Sequence, residues 1–455
     1  MARGDFLNRF LAALGVVASL IAGGAAHAQV FEPKTFDLPN GLKVVVIENS
    51  RAPVVTQMVW YKTGAADEVQ GVSGIAHFLE HLMFKGTPSV PPGDFSRIVA
   101  RFGGRDNAFT SHDYTAYFQT VASDRLEDMM RIEADRMANL VLADAQVLPE
   151  RDVIVEERRQ VVDQRPSSRL REQLMAALFV NHPYGRPIIG WEHEMQALTR
   201  QNALDWYGKW YAPNNAMLIV AGDVKAEQVK TLAERYYGPV ARKAVPERVR
   251  PQEPPAIAAK RVELKDSRVR QPSWSRAWHA PSHNRDLPNV LDRDAVDALE
   301  IAAEILGGGP TSLLVRALVH DKPLASGIGA AFDGSAFDLS SFWIFASPRD
   351  GTSPAELETA IEVTLRDILR DGLPAEEVER AKARTLDQAI FARDGVQAAP
   401  RAFGIAFTTG KDVAWVESWP ARIAAVTPER VNAALRAILS QDGHTTGLLL
   451  PKPGS

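Results

Sequence analysis

Residues 74–87 read GIAHFLEHLMFKGT, and within them His77, Glu80 and His81 sit three and four positions apart in an otherwise apolar run. On a helix that spacing puts the three side chains on one face. Two neutral imidazoles and a neighbouring carboxylate are what a catalytic zinc ion needs: the rings hold the ion, an open position keeps a water, and the carboxylate takes its proton. The order H-x-x-E-H inverts the commoner H-E-x-x-H. Ile75, Phe78, Leu79, Leu82 and Met83 form a second, core-facing stripe at helical spacing. Ser73 is the expected N-cap, and Lys85, Gly86 and Pro88 are the expected stop. Isolated buried charges are too costly, so three ionisable groups on so apolar a helix must be paired or metal-bound. A hydrogen-bonded His–Glu cluster would satisfy the same condition without a metal.

A zinc site of this kind needs a third protein ligand, and a carboxylate is the expected one. Residues 150–162 read ERDVIVEERRQVV. On a helix Glu150, Val153, Ile154, Glu157 and Val161 share a face, which is the apolar one. Glu156 projects instead beside Asp152, Arg159 and Gln160. The phase therefore selects Glu157 as ligand and Glu150 as a supporting carboxylate behind it. A surface helix laced with ion pairs to Arg151, Arg158 and Arg159 would explain Glu156 but leave Glu157 unexplained.

With these residues in place the chain resembles the pitrilysin-type (inverzincin) zinc metallopeptidases, which include the mitochondrial processing peptidases. The resemblance rests on GIAHFLEHLMFKGT (74–87), GGRDNAFTSHDYTAYF (103–118), HPYGRPIIGW (182–191) and WYAPNNAMLIVAGDV (210–224). It implies one zinc ion per chain, bound by His77, His81 and Glu157, with Glu80 as general base and Glu150 assisting catalysis. It also implies that Asn107, Ala108, Phe109 and Thr110 form an edge strand. An extended peptide substrate would add there as a further strand, through main-chain hydrogen bonds.

The chain has no cysteine, which excludes thiolate ligands and cysteine nucleophiles and suits an oxidising compartment. A net charge of −4 gives no bulk attraction to nucleic acid. Arg3 and Arg9, the apolar run from Phe10 to Ala22 and the small-x-small Ala26-His27-Ala28 read as a cleaved signal peptide over residues 1–28. Export to the periplasm follows if the source is a Gram-negative bacterium. A retained anchor is the alternative, although the run is short for a span, and no later stretch is long enough to be one.

Pro246, Pro251, Pro254 and Pro255 mark a linker at 241–259 between two halves, 29–240 and 260–455. Both halves read as α+β, each expected to be a mixed sheet packed with helices. The first opens on a strand pair around Asn40-Gly41 and ends with a helix at 202–211 and a strand at 216–221. The second ends alike, with a helix from Thr427-Pro428 to Leu439 and a strand at 446–450. That recurrence suggests a duplication.

The second half carries no metal motif; His279, His283 and His320 read as packing or surface residues, and His112, His182 and His193 are not assigned to zinc. Gly307, Gly308 and Gly309 lead into an apolar helix at 313–319 and permit close approach of a partner or peptide. The resembled family has there an Arg late in the helix and a Tyr seven residues on, which stabilise the oxyanion. Here those positions are Val319 and Ser326, with Arg316 three residues early. The expectation is a metal-bearing subunit whose homologous partner, lacking the zinc motif, supplies the Arg/Tyr pair. Two other readings stay open: a scaffold with a structural metal site, and a homodimer that uses Arg316.

Overall fold

The computed structural model describes residues 30–392 and 395–452, so the expected signal peptide at 1–28 lies outside the described residues. Lys34–Asp37 (β1) and Lys43–Glu48 (β2) pair antiparallel around Asn40-Gly41, where Gly41 takes φ +91° as a tight turn requires. Val54–Tyr61 (β3), Arg105–Thr110 (β4), Thr115–Ala122 (β5) and Ala216–Gly222 (β6) complete a sheet of order β1-β2-β6-β3-β5-β4. Only β2 and β6 run parallel. β6 is buried at every residue, as a strand covered on both faces must be.

On one face lie Ile75–Leu82 (α1), Leu126–Asn139 (α2) and Asp144–Arg158 (α3). Phe78, Leu82, Met130 and Ile154 from these helices form a core with Val55 and Val59 of β3. The stripe expected on α1 is buried in full. The stripe expected on α3 is rotated by about one residue: Val147, Ile154, Val155 and Arg158 point inward, whereas Val153 is 49% exposed. Past Arg158 the helix widens into a π-helical stretch, Arg159–Asp163, which leaves Val161 half-buried.

The second sheet contains Lys260–Asp266 (β7), Ser273–Ala280 (β8), Ala325–Phe332 (β9), Ser340–Pro348 (β10) and His444–Pro451 (β11), in the order β7-β11-β8-β10-β9. Strand for strand this is β2-β6-β3-β5-β4 again, with the parallel pair in the same place. The two halves are therefore two copies of one topology, each a mixed sheet packed with helices. Val296–Gly307 stands where α1 stands in the first copy, and buries Leu299, Ala302, Ala303 and Leu306 with no imidazole among them. Gly307 approaches β9 of its own sheet, where a Cβ would overlap the backbone of Ala330; this glycine serves packing within the chain. The expected helix at 313–319 is one short α-turn, Leu313–Val315, running on as the π-helix Arg316–Asp321.

Each half also lends the other a helix. Pro166–Leu178 (α4) follows the metal-motif elements in sequence but packs on the second sheet. There Leu174 fits against Gly447, and the Leu178 carbonyl lies 3.0 Å from His279 Nε2. Ala398–Thr408 (α5), from the second half, covers the far face of the first sheet, packing Phe403 and Ala406 against Met58, Trp60 and Ile219. The 241–259 segment contains neither helix nor strand, yet it is fastened. The side chains of Arg248 and Arg250 are buried, and each pairs with both Asp67 and Asp113. Glu253 accepts hydrogen bonds from the backbone N–H of Val180, Asn181 and His182. Among the described residues no helix is long and apolar enough to cross a membrane.

Candidate metal centre

α1 is only eight residues long and starts at Gly74, in the left-handed region at φ +87°. Ser73 does not cap it. Its hydroxyl accepts from the Trp191 N–H at 2.9 Å, and its own N–H donates to Glu194 at 2.7 Å. The cap is Glu68, whose two carboxylate oxygens accept from the Gly74 and Ala76 N–H groups, each at 3.0 Å. Burial pushes the Glu68 carboxyl up to about 8, against those two N–H bonds and the Arg186 charge, which pull it down. Glu68 was not visible in the sequence reading, because it lies in a loop with no periodicity to single it out.

His77 and His81 leave α1 side by side, with ring centroids 4.8 Å apart. Their Nε2 atoms lie 3.6 and 3.3 Å from Glu157 Oε2 on α3. The three donor atoms fall within 4.8 Å of one another. His81 Nδ1 is 2.9 Å from Glu150 Oε1, two turns before Glu157, and the other Glu150 oxygen meets the Lys85 ammonium. Lys85, expected only as a stop signal, lies in the bend just past the end of α1, and it is that turn of the chain that brings it to Glu150. Glu80 is buried, and its Oε2 accepts a 2.5 Å hydrogen bond from the Thr110 hydroxyl.

Burial and the neighbouring His81 press the His77 imidazole down to about 4. Burial also acts downward on His81, but its bonds to Glu150 and Glu157 outweigh it and hold the ring up at about 9. Burial raises Glu80 against the Thr110 hydrogen bond.

The donor set fits a zinc ion. Two imidazole nitrogens and one carboxylate oxygen are a common catalytic trio, which leaves a position open for water or substrate. An imidazole that ligates a metal through Nε2 usually has its Nδ1 on a carboxylate, as His81 has on Glu150. Glu80, Glu150 and Glu157 also gather three carboxylates around two imidazoles, with Lys85 as the adjoining lysine. A divalent cation offsets that excess.

The four residues expected on the substrate strand all lie on β4, at the sheet edge, but they do different things. Thr110 reaches Glu80. Ala108 donates its N–H to Asn107 Oδ1 at 2.8 Å. Phe109 points through the sheet and packs edge-on against Trp60 and Tyr114, under the Arg401 guanidinium. In the second half Val319 packs into its own core, and Ser326 accepts from Gln271 and bonds the Ser347 carbonyl. Arg316 is paired with Glu377 at 2.5 Å. None of these three contacts the cluster. Arg158, expected as a surface partner, is instead buried in a two-pronged pair with Glu172 that ties α3 to α4.

Residues 43–192 match the family described as insulinase, peptidase family M16, and residues 197–385 match the peptidase M16 inactive domain. The chain is also 32% identical over 382 residues to the zinc protease PqqE of Helicobacter pylori, covering 83% of this chain and 84% of that one.

The chain belongs to peptidase family M16.

An uncharacterized zinc protease of Mycobacterium leprae is 28% identical, covering 89% of this chain and 88% of the relative. Among solved structures, a protease from Helicobacter pylori superposes with a TM-score of 0.85 at 27% identity, covering 92% of this chain and 100% of that chain. The first half of the periplasmic protease PqqL from Escherichia coli shares the fold, with a TM-score of 0.77 at 21% identity over 93% of this chain and 92% of that one. Against full-length PqqL the match covers 48% of the longer chain. This M16 chain thus has a two-domain architecture and a His-His-Glu cluster, and the two relatives compared with it by sequence are named zinc proteases.

Proposed function

We propose that this chain is a zinc-dependent peptidase that hydrolyses extended peptides or unfolded segments. The observation that carries the reading is the joining of His77, His81 and Glu157 to the buried Glu80, itself bonded to the last residue of an open sheet edge. Zinc held by His77, His81 and Glu157 would supply Lewis acidity toward the scissile carbonyl and lower the pKa of water. Thr110 orients Glu80 by holding Oε2. Burial raises the basicity of Glu80, so its carboxylate accepts the proton of the attacking water and later returns it to the departing amine. β4 offers the substrate main chain an edge to pair with, which selects extended peptide over folded protein.

The reading extends to a partner. With Val319 and Ser326 in place of an Arg/Tyr pair, and Arg316 committed to Glu377, the oxyanion would be stabilised by a homologous subunit that lacks the zinc motif. The pattern of residues 1–28 supports export to the periplasm.

The test is a fluorogenic-peptide assay of the zinc-loaded chain, alone and with any homologue that co-purifies from its host. The partner is expected to raise turnover by about 10²–10³, the usual worth of an oxyanion donor. Glu80→Gln should abolish cleavage while metal analysis still finds one zinc per chain. Full turnover by the isolated chain would remove the partner from the proposal. No cleavage in either state would favour a scaffold that keeps the metal for structure.

A further inference from the structure

Between the two halves lies a cavity of about 640 Å³, and it begins where two site elements end. β4 stops at Thr110, the residue bonded to Glu80, and the next two residues, Ser111 and His112, line the cavity. α3 carries Glu157, and Val161 and Val162 in its π-helical continuation, about one turn on, line it too. An extended chain advances about 3.3 Å per residue. A peptide paired along β4 beside Glu80 therefore brings its next one to three residues to this cavity.

The walls come from both halves and are mainly apolar: Val161, Met175 and Phe179 from the first, Phe332, Leu339 and Trp343 from the second. The volume is that of a ligand pocket, well above a packing defect. Most charges at its border are engaged elsewhere. Glu172 is paired with Arg158, Asp113 with Arg248 and Arg250, and Arg186 donates to the Glu68 carbonyl. Asp333 accepts from the N–H and hydroxyl of Ser335. Arg171 differs. Its guanidinium lies 5.0 Å over the Trp343 ring, and among the described residues it has no carboxylate partner. A guanidinium stacked on an aromatic ring keeps its in-plane N–H donors available for two-pronged binding of a carboxylate.

We propose that this cavity is a substrate subsite that takes a large apolar side chain close to the scissile bond and places a carboxylate of the peptide on Arg171. The inference rests on the peptidase reading above and narrows its substrate class to peptides in which an aromatic or large aliphatic residue lies near a carboxylate. That carboxylate is either the free C-terminus of a short peptide or an Asp or Glu side chain.

The experiment measures binding of labelled peptides to the full-length, zinc-loaded Glu80→Gln chain by fluorescence anisotropy. One peptide series places Phe, Leu or Ala at a single position. It is made with a free or amidated C-terminus, and with Glu or Gln inside the sequence. The Phe peptide should bind about tenfold or more tightly than the Ala peptide. Ala331→Trp, at an exposed position lining the cavity, should bring Phe down to the level of Ala. Arg171→Met should cost about tenfold for the carboxylate-bearing peptide alone. Whether amidation or the Glu-to-Gln change mimics that loss identifies the source of the carboxylate.

Should Ala331→Trp fail to fold, a dinitrophenyl-labelled Phe peptide supplies the second measurement. It should quench tryptophan emission in the Glu80→Gln chain, and quench it less once Trp343→Phe is added. Equal binding of the Phe and Ala peptides overturns the subsite and leaves the peptidase reading standing, as does a Phe preference that survives Ala331→Trp. If zinc is bound at one per chain and none of the peptides binds, both fall together.

Discussion

Glu150 does not enter the space between the imidazoles; it acts through His81 Nδ1 at 2.9 Å and is itself held by Lys85. A ring whose Nδ1 is held by a carboxylate presents Nε2 in a fixed direction and as a better donor. Glu150→Gln is accordingly expected to weaken zinc binding about 10–100-fold in competition with a chelator, with the fold retained. Glu68 acts at the other end of the same helix. Its pKa rises from 4.5 to about 8 on folding, chiefly through burial. The folded state thus holds the proton more tightly than the unfolded state. The contribution is fully present below pH 4.5 and is lost as pH rises through about 8. Thermal melts across that range should show wild type losing stability with rising pH more steeply than Glu68→Gln, and parallel slopes would refute the assignment.

An isolated helix of eight residues is unstable in water, so α1 persists because its apolar face is buried and its N-terminus is capped. Most of its metal-site geometry was legible in the sequence: the 77–80–81 spacing, the buried stripe beside it, and the seven-residue phase that sets Glu150 and Glu157 on one side of α3. Periodicity was less reliable at the edges of that stripe, where Val153 faces solvent and Arg158 is buried with Glu172. α5 shows a different dependence. It approaches the first sheet so closely that a Cβ on Gly404 would overlap the Trp60 ring. Gly404→Ala should therefore cost about 1–3 kcal/mol, read as a lower urea midpoint with unchanged slope, despite the usual helix-favouring effect of alanine.

Across the whole molecule the halves are joined by exchanged helices, a fastened linker and shared carboxylates, of which Asp113 has bonds to the linker and to both halves. Asp113 accepts from Arg248 at 3.2 Å and Arg250 at 3.0 Å in the linker, and from Tyr184 at 2.6 Å. It also accepts from the Phe337 N–H of the second half at 3.1 Å. Burial pushes this carboxyl up, but the two arginines outweigh it and keep it below the usual range. Asp113→Asn is expected to destabilise the chain by about 3 kcal/mol, because it leaves buried guanidinium charge undercompensated. Since α4 and α5 each complete the other half's packing, wild-type unfolding should be a single transition by circular dichroism and tryptophan fluorescence alike. Two separated transitions would show that the halves are held more loosely than this packing implies.

The sequence by itself determined the features that follow from local period: the metal-motif helix, its partner carboxylates, the opening strand pair and the helix-then-strand ending that recurs in the two halves. These were readable because a side chain's direction repeats every 3.6 residues in a helix and every two in a strand. Only the tertiary structure decided that Glu68 rather than Ser73 caps α1, that Thr110 bonds Glu80, that Arg248 and Arg250 tie down the linker, and that α4 and α5 change places. These contacts join residues far apart in the chain. Burial of a donor, a charge or an apolar face requires some partner, but where the folded chain brings a partner within reach decides which one it is.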